Sequence, residues 1–124
     1  MKDYTEYKRV WYQKHRESLS KKRKLYYLAH KTTFAERSLA SKERGRTFIY
    51  TYKAVPCMDC GMTFPPVCMD FDHRPNEEKL FDVGPNIGLN IARLRKEIAK
   101  CDVVCACCHR LRTQERKRKA MKGP

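Results

Sequence analysis

The sequence has no long apolar run. Nowhere in its 124 residues is there the stretch of about 20 apolar residues that a membrane-spanning helix needs, nor the shorter apolar segment of a secretory signal. Acidic residues are scarce: 14 Asp and Glu stand against 28 Lys and Arg, for a formal net charge of +14. A chain this basic points to a polyanionic partner, and nucleic acid is preferred over a generically soluble basic protein. Apolar residues make up only 41% of the chain. With a mean hydropathy of −0.78, hydrophobic material for a core is thin, and a metal staple would help the chain fold.

Cysteine, by contrast, is plentiful and odd in number: there are seven. Two C-x-x-C pairs among them point to metal before disulfides, which makes a reducing cytoplasm the expected compartment. The charge is also segregated. Residues 1–54 carry 15 Lys/Arg and 5 Asp/Glu, residues 55–109 carry 6 and 8, and residues 110–124 carry 7 and 1. Two basic ends flank a slightly acidic middle, the pattern of ends that grip phosphates around a centre that binds cations.

The N-terminal stretch repeats itself. "KRVWYQKH" (8–15) aligns with "RKLYYLAH" (23–30) at a spacing of 15 residues, pairing Trp11 with Tyr26 and His15 with His30. Helical spacing of Tyr4, Tyr7 and Trp11 predicts one or two basic amphipathic helices, with Ser18–Ser20 as the place for a break. Gly45 reads as punctuation. "RTFIYTYKAV" (46–55) fits both periods, and helix is preferred. "VCMDF" (67–71) has a strand's length and composition, "LFDV" (80–83) that of a short extended piece, and "GPN" that of a turn. "LNIARLRKEIAK" (89–100) predicts an amphipathic helix capped by Asn86 or Asn90. "DVV" (102–104) predicts a short strand, and a last basic helix runs from about Ala106 to Lys119.

Cys57, Cys60, Cys105 and Cys108 form a four-thiolate set. Zinc takes four such ligands tetrahedrally, and a two-residue spacer lets one tight turn present two sulfurs to one ion. Gly61, directly after Cys60, suits that turn. An ion saturated by four thiolates is structural. Cys68, Cys101 and Cys107 are read as ordinary packed thiols. "CACCH" also spells a c-type haem attachment, which the second C-x-x-C and the basic ends argue against. Asp70, Asp72 and His73 lie at the end of the first predicted strand, and His109 follows the last zinc cysteine. The zinc draws 57–60 and 105–108 together, so it brings 72–73 and 109 toward each other.

The motifs "PCMDCG", "VCMDFDHRPNEEKLFDV" and "EIAKCDVVCACCHRLRT", within residues 56–113, resemble the HNH endonucleases, also called His-Me finger or ββα-metal nucleases, and in particular their small zinc-bound bacteriophage and bacterial type. The resemblance implies an α+β, mostly helical fold: a small ββα-metal core with a four-Cys structural zinc and a basic N-terminal helical arm. It implies that His73 is the general base, and that Asp72 and His109 hold a catalytic Mg²⁺ or Mn²⁺. The implied activity is a DNA endonuclease or nickase leaving 5′-phosphate and 3′-hydroxyl ends, in the cytoplasm of a bacterium or a phage-infected cell. Two departures stand out. Lys100 occupies the position where the family's middle Asn is expected, and Cys107 that of another Asn. The expected organisation is a DNA-binding arm (1–45), a zinc-stapled nuclease domain (46–119) and a frayed tail (120–124). Lys8, Arg9, Lys14, Arg16, Lys22, Arg23, Lys24, Arg74, Arg110 and Arg112 are the expected contacts to double-stranded DNA, with no membrane involved. The alternative is a zinc-stapled nucleic-acid-binding regulator without catalysis. An RNA-processing nuclease is a third reading, because phosphate contacts carry no sugar identity.

Overall fold

A computed structural model describes residues 4–124; residues 1–3 of the expected arm lie outside the described residues. The chain is mostly helical, with one small antiparallel sheet. It divides into two compact units, one reaching to Arg37 and one spanning Ser38–Pro124.

Helix α1 is Tyr4–Lys53, a single element with no break at Ser18–Ser20. It contains no proline, and its many Lys, Arg, Glu, Ala and Leu residues are good helix formers. Ser18 is accommodated because its hydroxyl donates back to the His15 carbonyl at 3.2 Å. In the first unit the sequence repeat becomes a structural one. Trp11 stacks on His15 with ring centroids 4.2 Å apart, and Tyr26 on His30 at 4.1 Å. Each imidazole turns its Nδ1 to the carbonyl four residues back, at 2.7 Å from Trp11 O and 2.8 Å from Tyr26 O. Tyr4, Tyr7, Trp11, Tyr12, Tyr26 and Tyr27 are all exposed.

In the second unit, strands β1 (Met69–His73) and β2 (Cys101–Cys105) pair antiparallel, in the register Met69↔Cys105 to His73↔Cys101. Helix α2 (Ile91–Ile98) precedes β2, and its N-cap is Asn90, whose side chain accepts from Ala92 N at 2.7 Å. Helix α3 (Ala106–Lys122) leaves β2 directly and continues past Lys119. "LFDV" forms no strand, and "GPN" is a single 3₁₀ turn. A two-stranded sheet is marginal alone; here apolar clusters flank it. Ile49, Val83, Leu94 and Ile98 form one cluster, joined by Phe48, Phe71, Phe81 and Ile87. Cys57, Met69, Val104 and Cys105 form the other, with Phe64 and Val103 against it.

Gly45 does not interrupt the chain. It is buried within α1, where the backbone of Ile87 crosses so closely that a Cβ would lie 1.7 Å from Ile87 O. Only glycine permits that approach, so the residue that reads as punctuation is a packing contact. Ser41 Oγ, one turn earlier, donates to Gly88 O at 3.0 Å and fastens the same crossing. Gly45→Ala would gain about 1 kcal/mol of helix propensity and lose about 3 kcal/mol to overpacking. We predict a lower melting temperature by circular dichroism; an unchanged melt would mean the crossing yields without cost.

Candidate active site and metal centre

The first cysteine pair sits on a tight turn between α1 and β1. Gly61 N donates to Cys57 O at 2.9 Å, Cys57 N to Met62 O at 2.9 Å, and Gly61 takes a φ of +71°, which glycine adopts without strain. Met58 N donates to Val103 O at 3.1 Å and ties this turn to β2. The second pair brackets the start of α3. The sulfurs of Cys57, Cys60, Cys105 and Cys108 all lie within 4.8 Å of one another. Thiolates about 2.3 Å from a tetrahedral zinc stand about 3.8 Å apart, so this set fits such an ion with little adjustment. Backbone N–H groups already face the sulfurs, Cys105 N to Cys57 Sγ at 3.2 Å and Cys108 N to Cys105 Sγ at 3.4 Å. Burial opposes ionisation of Cys57, yet hydrogen bonds from the backbone of Cys60, Cys105 and Asp59 bring its pKa down to about 6. Cys108 is pushed up to about 12, first by its hydrogen bond with the Cys105 side chain and then by burial and the other two sulfurs. The cluster can hold a metal such as zinc.

The other three cysteines stand outside it. Cys101 is buried, donates weakly to Glu97 O at 3.4 Å and is pushed up to about 11 by burial. Cys68 and Cys107 are exposed rather than packed, because Cys68 ends a surface 3₁₀ turn and Cys107 lies on the outer side of α3.

Strand alternation divides the other expected site residues between two faces of β1. Asp70 and Asp72 meet α3. His109 Nδ1 lies 3.0 Å from Asp70 Oδ2, and its Nε2 lies 3.6 Å from Asp72 Oδ1. Asp72 is buried and also accepts from Arg116, at 2.8 and 2.7 Å, and from Arg112 at 2.9 Å. Burial would raise the Asp72 carboxyl; the Arg116 and Arg112 guanidiniums, with His109, override it and hold the group below the ordinary carboxylate range. His73 meets α2 instead: its Nε2 lies 2.8 Å from Oε1 of Glu97, a residue only 1% exposed. The structure thus brings Asp72 and His109 together, with His73 adjacent in sequence but held from the opposite side.

Two expected phosphate contacts have other partners. Arg74 donates to the carbonyls of Ala99 and Cys101, closing the C-terminal end of α2. Arg112 bridges Asp59 of the cysteine turn, Asp72 of β1 and Asp102 of β2. Neither is free to seek phosphate without breaking these bonds. Arg110 is exposed and lines an open groove with Asp70, His109, Thr113, Gln114 and Lys117. On α1, Lys8 lies over the Tyr4 ring and Arg9 pairs with Glu6, while Lys14, Arg16, Lys22, Arg23 and Lys24 are exposed. Sequence reading passes over Glu97 and Arg116 as site-forming residues, and it singles out Lys100 without giving it a role. The signal for Glu97 is its place beside Leu94 and Ile98 on the buried edge of α2.

Among the described residues, no helix is long and apolar enough to cross a membrane. Searches of protein-family models, of curated proteins and of solved structures each return no match to this chain.

Zinc content should separate the cysteines. Cys105→Ser and Cys108→Ser should lose bound zinc and melt earlier, since binding energy of a structural metal is folding energy. Cys107→Ser and His109→Ala should keep one zinc per chain. Metal analysis of purified variants decides this, and zinc loss in Cys107→Ser would break the assignment.

Proposed function

We propose that this chain is a metal-dependent endonuclease of the HNH kind, acting on DNA, with a ββα-metal core formed by β1, β2 and α3. The observation that carries the reading is the junction of β2 and α3. There the last cysteines of the cluster set His109 against Asp72, while His73 follows on the same strand. Mere binding of nucleic acid does not require that constellation. The 3.6 Å between Asp72 Oδ1 and His109 Nε2 is long for a hydrogen bond. It is close to the roughly 3 Å that separates neighbouring ligands of an octahedral cation with bonds of about 2.1 Å.

Asp72 and His109 would hold Mg²⁺ or Mn²⁺, which supplies charge stabilisation at the scissile phosphate and the leaving oxygen. His73 acts as general base on the attacking water. Arg110 and Lys117 offer positive charge along the groove beside His109. The lysines and arginines of α1 add affinity for the backbone without reading sequence. Products would carry 5′-phosphate and 3′-hydroxyl ends. One observation favours the alternative, a non-catalytic nucleic-acid-binding protein. Arg112 and Arg116 already neutralise Asp72, and a cation there must share the carboxylate with them or displace Arg116.

Supercoiled plasmid incubated with and without Mg²⁺ tests the proposal. The wild-type protein should cut only with the metal. His73→Ala should keep zinc and DNA binding and cut about 10²–10⁴-fold more slowly. Unchanged cutting by that variant would remove His73 from the mechanism, and no cutting by the wild type would leave the binding reading.

The helix has its own test. Replacing Lys21, Lys22, Arg23 and Lys24 with glutamine should weaken duplex binding. The slope of log K against log[salt] should become shallower by about 0.9 for each phosphate that the protein no longer neutralises. Equal affinity and equal slope in a titration series would mean that this segment does not hold DNA.

A further inference from the structure

The buried partner of His73 is the unexplained feature of the site. Glu97 is 1% exposed, and a carboxylate in that position is costly unless every lone pair is met. Two of its neighbours are fixed donors. Oε1 accepts from Leu80 N at 2.9 Å and Oε2 from Lys100 Nζ at 2.9 Å. Lys100 in turn donates to Glu78 O at 2.8 Å, which fixes the ammonium. Both contacts, the Lys100 ammonium above all, favour the ionised carboxylate. Burial works against that, but the Lys100, Leu80 and His73 contacts prevail and hold the Glu97 pKa at about 2.

An ionised carboxylate only accepts. The 2.8 Å contact therefore requires His73 Nε2 to carry a hydrogen. In the neutral ring, the lone pair is then on Nδ1, the nitrogen turned away from Glu97. We propose that Glu97 is a positioning residue: it holds His73 as the Nε2–H tautomer, makes Nδ1 the atom that takes the proton from water, and is itself locked by Lys100. The proposal rests on the nuclease reading above. It also accounts for Lys100, which stands where the resemblance leads one to expect an asparagine. Orientation of the base comes from Glu97, on the last turn of α2, and Lys100 secures it.

The opposite tautomer has a built-in reference. His15 and His30 place Nδ1 against a backbone carbonyl, which fixes them as Nδ1–H. In Glu97→Gln the amide cannot turn its NH₂ toward the Lys100 ammonium, so its oxygen goes there. The NH₂ then faces His73, at the expense of the Leu80 N–H bond, and Nε2 must become the acceptor. The tautomer inverts while the side chain keeps its size.

The experiment is long-range ¹H–¹⁵N NMR of the zinc-loaded full chain in mildly alkaline buffer, with His73 signals assigned by comparison with His73→Ala. Plasmid-cleavage kinetics in Mg²⁺ run alongside. The wild type should show His73 as Nε2–H, in contrast to His15 and His30. Glu97→Gln should show Nδ1–H, with kcat lower by about 10²–10⁴-fold, the scale of a misprotonated base, and KM little changed. Wild-type His73 in the Nδ1–H form overturns the proposal and needs no variant to fold. A Glu97→Gln protein with unaltered tautomer and kcat also overturns it. A wild type that shows the Nε2–H tautomer yet cuts nothing in Mg²⁺ overturns the nuclease reading, and Glu97's part in it, by a result distinct from a wrong tautomer.

Discussion

Everything in the second unit hangs on four sulfurs that the chain separates widely. Between Cys60 and Cys105 lie 44 residues, and a cation shared by both pairs would close that loop. The loop contains β1 and α2, and β2 ends at Cys105 where α3 begins. The strands that carry the candidate site are too short to pair stably in isolation. Their register is therefore defined at one end by Met69↔Cys105, beside the sulfurs, and at the other by His73↔Cys101. The hydrophobic core is small, and one of its two clusters is built around two of these cysteines. A metal held at this position would do what a larger core does in a longer chain.

Arg112 carries that organisation from the cysteine turn into the site. It is bidentate on Asp59, between Cys57 and Cys60, and its NH1 reaches both Asp72 and Asp102. Three acids around one guanidinium, Asp59 foremost, raise its pKa further above an already high value, so it stays charged. The Asp59 carboxyl is held low mainly by the same contact. Position of the cysteine turn and position of Asp72 are thus coupled through one side chain on α3. A shift of the turn would be felt at Asp72, even though Asp72 is not one of the four sulfur ligands.

The parts legible in the sequence are those carried by local chemistry. The C-x-x-C spacing announces the sulfur cluster because two residues between ligands is what a tight turn allows. The length and composition of "VCMDF" and "DVV" announce strands, the first two residues early and the second one residue short at each end, and Asn90 before an amphipathic run announces the start of α2. What escapes is set by tertiary contact. Gly45 looks like a boundary because glycine usually is one, and only the crossing of Ile87 reveals it as a close approach. Arg74 and Arg112 look like phosphate ligands because arginine in a basic chain commonly is one. Their partners, the carbonyls that end α2 and a trio of aspartates, are distant in sequence. Glu97 hides among the polar residues of a helix whose apolar edge it borders.

Asp72 and His73 show why adjacency in sequence is a poor guide to a site. On a strand they face apart, so each is governed by a different helix. Asp72 answers to α3, through Arg112, Arg116 and His109, and α3 is anchored at its first turn by Cys105 and Cys108. His73 answers to α2, through Glu97, and α2 is anchored by Leu94 and Ile98 in the apolar cluster. The two side chains therefore stand in different surroundings, Asp72 among arginine cations and His73 against a carboxylate. A single step along β1 supplies both, because the strand lies between a helix that presents arginines and a helix that presents a buried glutamate. The pairing of β1 with β2 keeps the two surroundings in register, and that gives the short sheet a role beyond its size.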